Sequence, residues 1–176
     1  ETPAIINIEI DAKLAFGTGN HETTRMMLSA LSTLTPSPST ILDCGTDTGI
    51  LAIAALKLGA KKAVGYDIDE WSVDNARPNA VISRVDERFT PMLGDATLLD
   101  SMDETFDVVM ANINRNILLQ DMERFVSVMR PGATLILSGF YQADCQLLEE
   151  KANGLGLTIK QTKNDGDWCC LAFQYQ

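Results

Sequence analysis

Two glycines, two carboxylates and three small side chains alternate in Asp43-Cys44-Gly45-Thr46-Asp47-Thr48-Gly49, between an apolar run and a helix-forming one. Gly45 would let a ligand approach the backbone, and Gly49 would allow a tight turn into the helix. A helix start offers unpaired N–H groups to an anion such as a carboxylate. Asp43 could accept from an ammonium, so a zwitterionic amino-acid tail would satisfy both ends of the segment. The structural alternative is a plain glycine turn between strand and helix.

Three further candidates follow. Asp67 falls at the end of the next apolar run, where a carboxylate can accept both hydrogens of a ribose diol. Its alternative role is helix capping, for which Asp69 is better placed, and Ile68 would offer an apolar face to an adenine ring. Gly94-Asp95 follows the third run; a carboxylate there could accept from the exocyclic amine of adenine, or simply close a turn. Ala111-Asn112-Ile113-Asn114 follows the fourth, where the amide of Asn112 could orient an amine or cap the next turn.

The elements that would hold these residues read as an alternation. Ile5–Ile10 is expected as a strand, followed by the loop Phe16-Gly17-Thr18-Gly19-Asn20-His21. A helix is expected over residues 22–34, with Met27, Leu31 and Leu34 on one face. Thr35-Pro36-Ser37-Pro38-Ser39 stops it. Strands are then expected at Ile41–Cys44, Ala63–Asp67, Phe89–Leu93, Phe106–Ala111 and Thr134–Ser138. The helices between them are Gly49–Leu58, one capped by Asp69 that Pro78 should kink or interrupt, and Ile117–Met129, ended by Pro131-Gly132. After a helix over about 142–153, Leu157–Thr162 and Trp168–Gln174 form a hairpin across an Asp-Gly step. Alternating βα units imply an α/β, doubly wound, Rossmann-like fold: seven strands, mostly parallel, with a C-terminal antiparallel hairpin. Ligands of such sheets sit at the carboxyl ends of the strands, near the switch in strand order. All four candidate sites fall on that edge.

Bulk properties narrow the classes. The 176 residues suit one domain, and 45% apolar content argues against disorder. No apolar run is long enough to span a membrane. The start ETPAIINIEI has neither a secretory pattern nor an initiator Met, so the chain is expected to begin partway through a longer protein. Cys44, Cys145, Cys169 and Cys170 form no CxxC pair and read as reduced cytoplasmic thiols. With a single His, no metal site is expected. A net charge of −10 repels nucleic-acid phosphates and favours a basic partner.

Leu14-Ala15-Phe16-Gly17-Thr18-Gly19-Asn20-His21-Glu22-Thr23-Thr24, Ile41–Gly49, Ile50–Ala60 and Asp67-Ile68-Asp69 resemble the bacterial methyltransferases of ribosomal protein L-eleven, as do Ala111-Asn112-Ile113 and Leu135–Gly139. The likeness covers nearly the whole chain. It implies an enzyme that uses S-adenosyl-L-methionine to methylate amino groups, of lysine or the N-terminus, on that ribosomal protein. Carried onto this sequence, Thr24, Gly45, Asp67 and Asn112 would hold the cofactor. Asp43, Gly49, Ile68, Asp95 and Gly17 extend that set. Phe16 and Thr18 would lie over the cofactor and, with Asn112, line the approach to the methyl group. The resemblance also implies an upstream substrate-recognition domain beyond this chain.

Three positions depart from the family pattern. Asp47 replaces a middle glycine, which would strain the backbone and add negative charge beside the cofactor's carboxylate. Pro78 stands among ordinary helix residues, and Glu22 replaces a frequent proline. Two rival readings remain at this stage. A nicotinamide-dependent oxidoreductase would share the sheet and Asp67, but Gly45 and Gly49 do not complete a G-x-G-x-x-G pattern. A non-catalytic domain with weakened cofactor affinity would rest on Asp47.

Overall fold

The computed structural model describes residues 21–34 and 38–176. The strand expected at Ile5–Ile10, the loop from Phe16 to Asn20 and the segment Thr35-Pro36-Ser37 lie outside those residues. The elements in chain order are α1 (His21–Ser32), β1 (Thr40–Cys44), α2 (Ile50–Lys57), β2 (Lys62–Asp67), α3 (Glu70–Ile82), β3 (Phe89–Leu93), β4 (Phe106–Asn112), α4 (Arg115–Ser127), β5 (Met129–Tyr141), α5 (Cys145–Gly154), β6 (Leu157–Asp165) and β7 (Trp168–Tyr175). The seven strands form one sheet in the order β3-β2-β1-β4-β5-β7-β6. The chain therefore winds outward from β1 through β3, then restarts on the other side with β4. The crevice at the carboxyl ends of β1 and β4 is the switch point.

β1 to β5 pair in parallel. β7 is antiparallel to both β5 and β6, lying between them. The terminal hairpin expected from Asp165-Gly166 is present: Asp165 pairs with Trp168, and Gly166 takes a φ of 60° at the first turn position.

Both faces of the sheet are covered, so the strands are apolar on both sides. Ile41, Val108, Met110 and Ile136 pack beneath α1, α2 and α3 on one face. Leu42, Val109, Leu135 and Leu137, one residue out of phase, pack beneath α4 and α5 on the other. α1 runs back across the first face. Ala30 and Leu34, at its C-terminal end, line a cavity with Asp107, near the start of β4, and Thr134 of β5. Among the described residues no helix is long and apolar enough to cross a membrane, and no three His, Cys, Asp or Glu side chains cluster as metal ligands.

Several local expectations are corrected. Pro78 does not interrupt α3, which runs unbroken from Glu70 to Ile82. Pro78 is on the exposed side, where the carbonyl left without its N–H can bond water. Asp69 occupies the cap position of α3, but its carboxylate accepts from the Ser72 hydroxyl at 2.9 Å rather than from a backbone N–H. α4 starts at Arg115, because Asn114 caps it through the Ile117 amide at 3.0 Å. Pro131-Gly132 does not separate a helix from a short strand. It sits inside the longer β5, where the ladder with β4 skips from the Phe106–Met129 pair to Val108–Thr134.

Candidate functional site

The glycine turn is held by backbone hydrogen bonds. The Thr46 amide donates to the Tyr66 carbonyl and the Gly49 amide to the Thr46 carbonyl, both at 2.8 Å. Gly45 (φ 71°) and Gly49 (φ 87°) lie in the left-handed region. A methyl group at Gly45 would come within 2.8 Å of the Ile113 side chain, so only glycine keeps this passage open. Gly65 in β2 has a comparable role that the sequence did not signal: a Cβ there would lie 2.6 Å from the Thr46 hydroxyl.

Asp43 lies beneath the turn, 1% exposed. Its Oδ2 accepts from the Thr46 hydroxyl at 2.8 Å, and the Ala52 amide of α2 also donates to the carboxylate. Oδ1 is buried with no hydrogen-bond partner. Burial, partly offset by those two donors, pushes the carboxyl up to about 7.

Asp67 closes the turn from the side. Its Oδ2 accepts from the Asp47 amide at 2.8 Å and its Oδ1 from the Asp69 amide at 2.9 Å. Each oxygen keeps a second lone pair, so the carboxylate is oriented yet still able to accept from a diol. Asp47 stands where a glycine would relax the backbone, at a φ of 53°. Its carboxylate shares the single Ser72 hydroxyl hydrogen with that of Asp69, at 2.8 and 2.9 Å, which anchors the strained residue to α3.

Gly45, Asp67, Ile68, Gly94 and Asp95 all line one cleft of about 370 Å³ at the carboxyl edge. Ile68 is 76% exposed there, an apolar surface of the kind that a flat ring would cover. Asp95 caps the short 3-10 turn Ala96–Ser101, accepting from the Thr97 hydroxyl and from its amide at 2.9 Å. Those bonds hold its carboxyl below the usual range, so it is an ionised acceptor at the mouth. The far wall comes from Ile113 and from α4, through Ile117, Gln120, Asp121 and Arg124. The sequence reading missed that wall, although residues 117, 120, 121 and 124 share a helical stripe behind the Asn112 strand. Burial raises the Asp121 carboxyl, with Arg124 opposing. Tyr66 also lines the cleft, with its hydroxyl buried beside the Cys44 thiol.

Thr24, Asp43, Gly49 and Asn112 do not line this cleft. Thr24 is buried in the first turn of α1. Strand alternation turns Asn112 to the face opposite Ala111, the side on which α1 packs. The corner that follows Asn112 is fixed by β5: the Ile113 amide donates to the Ser138 carbonyl at 3.1 Å. Gly139 approaches so closely that a Cβ would meet the Ile113 carbonyl oxygen at 2.6 Å. The structure therefore unites Gly45, Asp67, Ile68 and Asp95 in one cleft, and leaves Thr24, Asp43, Gly49 and Asn112 outside its lining. Phe16, Gly17 and Thr18 lie outside the described residues.

An open sheet with one antiparallel strand slotted between the last two, and a cleft of this size over the glycine turn, defines a Rossmann-like domain of the S-adenosylmethionine-dependent methyltransferase class. Its shape is shared with the O-methyltransferase TomG from Streptomyces achromogenes, solved in complex with SAM (TM-score 0.73, 14% identity, covering 100% of this chain and 90% of that one). At that identity the likeness is one of fold. The whole chain, residues 1–176, matches the family described as ribosomal protein L11 methyltransferase (PrmA), and it belongs to that family. It is 44% identical over 168 residues to the ribosomal protein L11 methyltransferase of Porphyromonas gingivalis, covering 96% of this chain and 57% of that protein. It is 40% identical over 172 residues to the Bacteroides thetaiotaomicron protein of the same name, covering 98% and 61%. A solved ribosomal protein L11 methylase from Lactobacillus delbrueckii subsp. bulgaricus superposes with a TM-score of 0.79 at 31% identity, covering 90% of this chain and 81% of that one. The chain thus spans about three-fifths of the length of the curated relatives it matches.

Proposed function

We propose that this domain binds S-adenosylmethionine in the crevice over β1, β2, β3 and β4 and transfers its methyl group to amines of ribosomal protein L11 in the cytoplasm. One observation carries the reading: Gly45, Asp67, Ile68 and Asp95, from consecutive strand ends, line a single cleft. The residues fit the group. The volume of about 370 Å³ falls within the range of small-molecule sites. Gly45 leaves room where a side chain would fill the passage, and the buried Oδ1 of Asp43 lacks a partner near the turn.

In this reading Asp67 accepts from the ribose hydroxyls while the Asp47 and Asp69 amides hold it in place. Ile68 covers the adenine face, and Asp95 accepts from its amine. Asp43 supports from beneath the turn that would receive the amino-acid tail, through Thr46 and Ala52. When bound, S-adenosylmethionine supplies an electrophilic methyl on a sulfonium, so no protein nucleophile is needed. The work left to this chain is positioning. Asn112 accepts a hydrogen bond from the incoming amine and helps aim its lone pair; positioning of both reactants by the whole site is worth roughly 7–11 kcal/mol where alignment is good. The family resemblance assigns Thr24 and Gly17 to the cofactor, and Phe16 and Thr18 to the approach to its methyl group. Removing water from the amine favours its neutral, reactive form. The surface charge of −10 draws in a basic protein acceptor and disfavours nucleic acid. Choice among acceptors would rest with an upstream recognition domain of the kind that the family resemblance implies.

The test is incubation of the full-length protein with S-adenosylmethionine and L11, read by intact mass. Stepwise methyl additions on L11 are expected. An unmodified L11 in the presence of demonstrated cofactor binding would sink the acceptor assignment, and absence of cofactor binding would sink the whole reading.

A further inference from the structure

Two of the four cysteines meet across the fold, outside the cleft. The Sγ atoms of Cys145, the first residue of α5, and Cys169, in β7, are 2.6 Å apart. We propose that this pair is a modification site: on two-electron oxidation by a small-molecule disulfide, Cys145 and Cys169 form an intramolecular disulfide that ties α5 to β7. Each thiol loses its hydrogen and one S–S bond forms. The oxidant takes up two electrons and two protons and leaves as two thiols.

The pairing is selective because the backbone places it. Cys169 is fixed in β7 opposite Phe140, and its carbonyl accepts from the Ser138 hydroxyl at 2.6 Å. The sulfurs need little movement to reach the ~2.05 Å of a disulfide bond. Cys145 is partly exposed and provides the point of entry, whereas Cys169 is buried and acts as the resolving thiol. The remaining two cannot compete. Cys170 follows Cys169 in the strand but packs with the α1–α3 core, whereas Cys169 packs with the α4–α5 core. Cys44 is fully buried in β1. Burial and the nearby Asp144 and Glu149 carboxylates keep the Cys145 thiol protonated, so the exchange is slow and wants excess oxidant.

The link would matter for the rim beyond Asn112. Trp168, beside Cys169, stacks on Tyr141 with ring centroids 4.5 Å apart. Asp144, beside Cys145, pairs with Arg115 at 3.0 Å, just past the Asn112 corner. A disulfide would therefore clamp the β5–α5 connection against β7. This inference does not depend on the methyl-transfer reading.

The experiment treats the purified chain with excess diamide, a diazene that accepts the same two electrons, or with reductant. It then compares intact masses, peptide maps and Tm. A loss of about 2 Da is expected, carried by one cross-linked peptide pair containing Cys145 and Cys169. The Tm should rise by roughly 5 °C and revert on reduction. Cys145→Ser and Cys169→Ser should abolish the link, and Cys170→Ser should leave it. Four free thiols after oxidation, a link through Cys44 or Cys170, or a disulfide-linked dimer would each overturn the proposal. The wild-type peptide map decides the matter even where a variant fails to fold.

Discussion

Replacing Asp43 with Asn should invert in effect between acid and alkaline pH. In the folded domain burial holds the Asp43 carboxyl at about 7, against an ordinary value of about 3.9 in an unfolded chain. The folded state therefore binds this proton more tightly. The resulting stabilisation is complete below about pH 4 and disappears as pH rises through 7. A gap of about three units corresponds to about 4 kcal/mol. Asn resembles the protonated acid: its carbonyl can accept from the Thr46 hydroxyl, as Asp43 Oδ2 does. Its NH2 replaces the unpartnered Oδ1 and has no acceptor there, a cost of about 2 kcal/mol. The variant should thus be less stable than wild type by about 1–2 kcal/mol at pH 4 and more stable by about 2 kcal/mol at pH 8. Urea unfolding followed by the fluorescence of Trp71 and Trp168 measures both, and other titrations cancel between the two proteins. An identical stability difference at the two pH values would refute the neutral, buried carboxyl.

Three other substitutions probe the cleft. Asp67→Ala removes the acceptor for the Asp47 and Asp69 amides as well as for the ribose. By calorimetry its affinity for S-adenosylhomocysteine should fall by roughly 100-fold, with the loss of charged hydrogen bonds setting the scale; unchanged affinity removes the ribose role. Asp47→Gly relieves a left-handed residue by about 1–2 kcal/mol but loses the Ser72 bond. Its urea midpoint should barely move while cofactor binding tightens severalfold, and weaker binding would make Asp47 a ligand. Gly139→Ala forces a Cβ to within 2.6 Å of the Ile113 carbonyl, with backbone on both sides. It should destabilise by roughly 2–3 kcal/mol and lower kcat by displacing Asn112; a wild-type melting curve would show that the close approach is relaxed at no cost.

Much of the architecture was legible because its signals are local. The Asp-Gly hairpin follows from a short-range rule, and the order of strands and helices follows from apolar runs of the right length. The departures arise where tertiary context decides. Pro78 is tolerated because its freed carbonyl faces water. Pro131-Gly132 lies inside a strand because the ladder skips it. At the site, Gly45, Asp67, Ile68 and Asp95 could be read from strand ends alone. The α4 wall could not, since nothing in the sequence says which face of a helix leans over the crevice. Nor could the depth of Asp43, which depends on α2 and Thr46 closing above it.

The most direct test of the central claim is titration of the isotopically labelled domain with S-adenosylhomocysteine, following backbone amide shifts. The cleft account expects saturable changes concentrated at Gly45, Asp67-Ile68, Asp95–Thr97 and Ile113. Shifts confined to the opposite, amino edge around Asp107 and Thr134, or none at millimolar ligand, would contradict it.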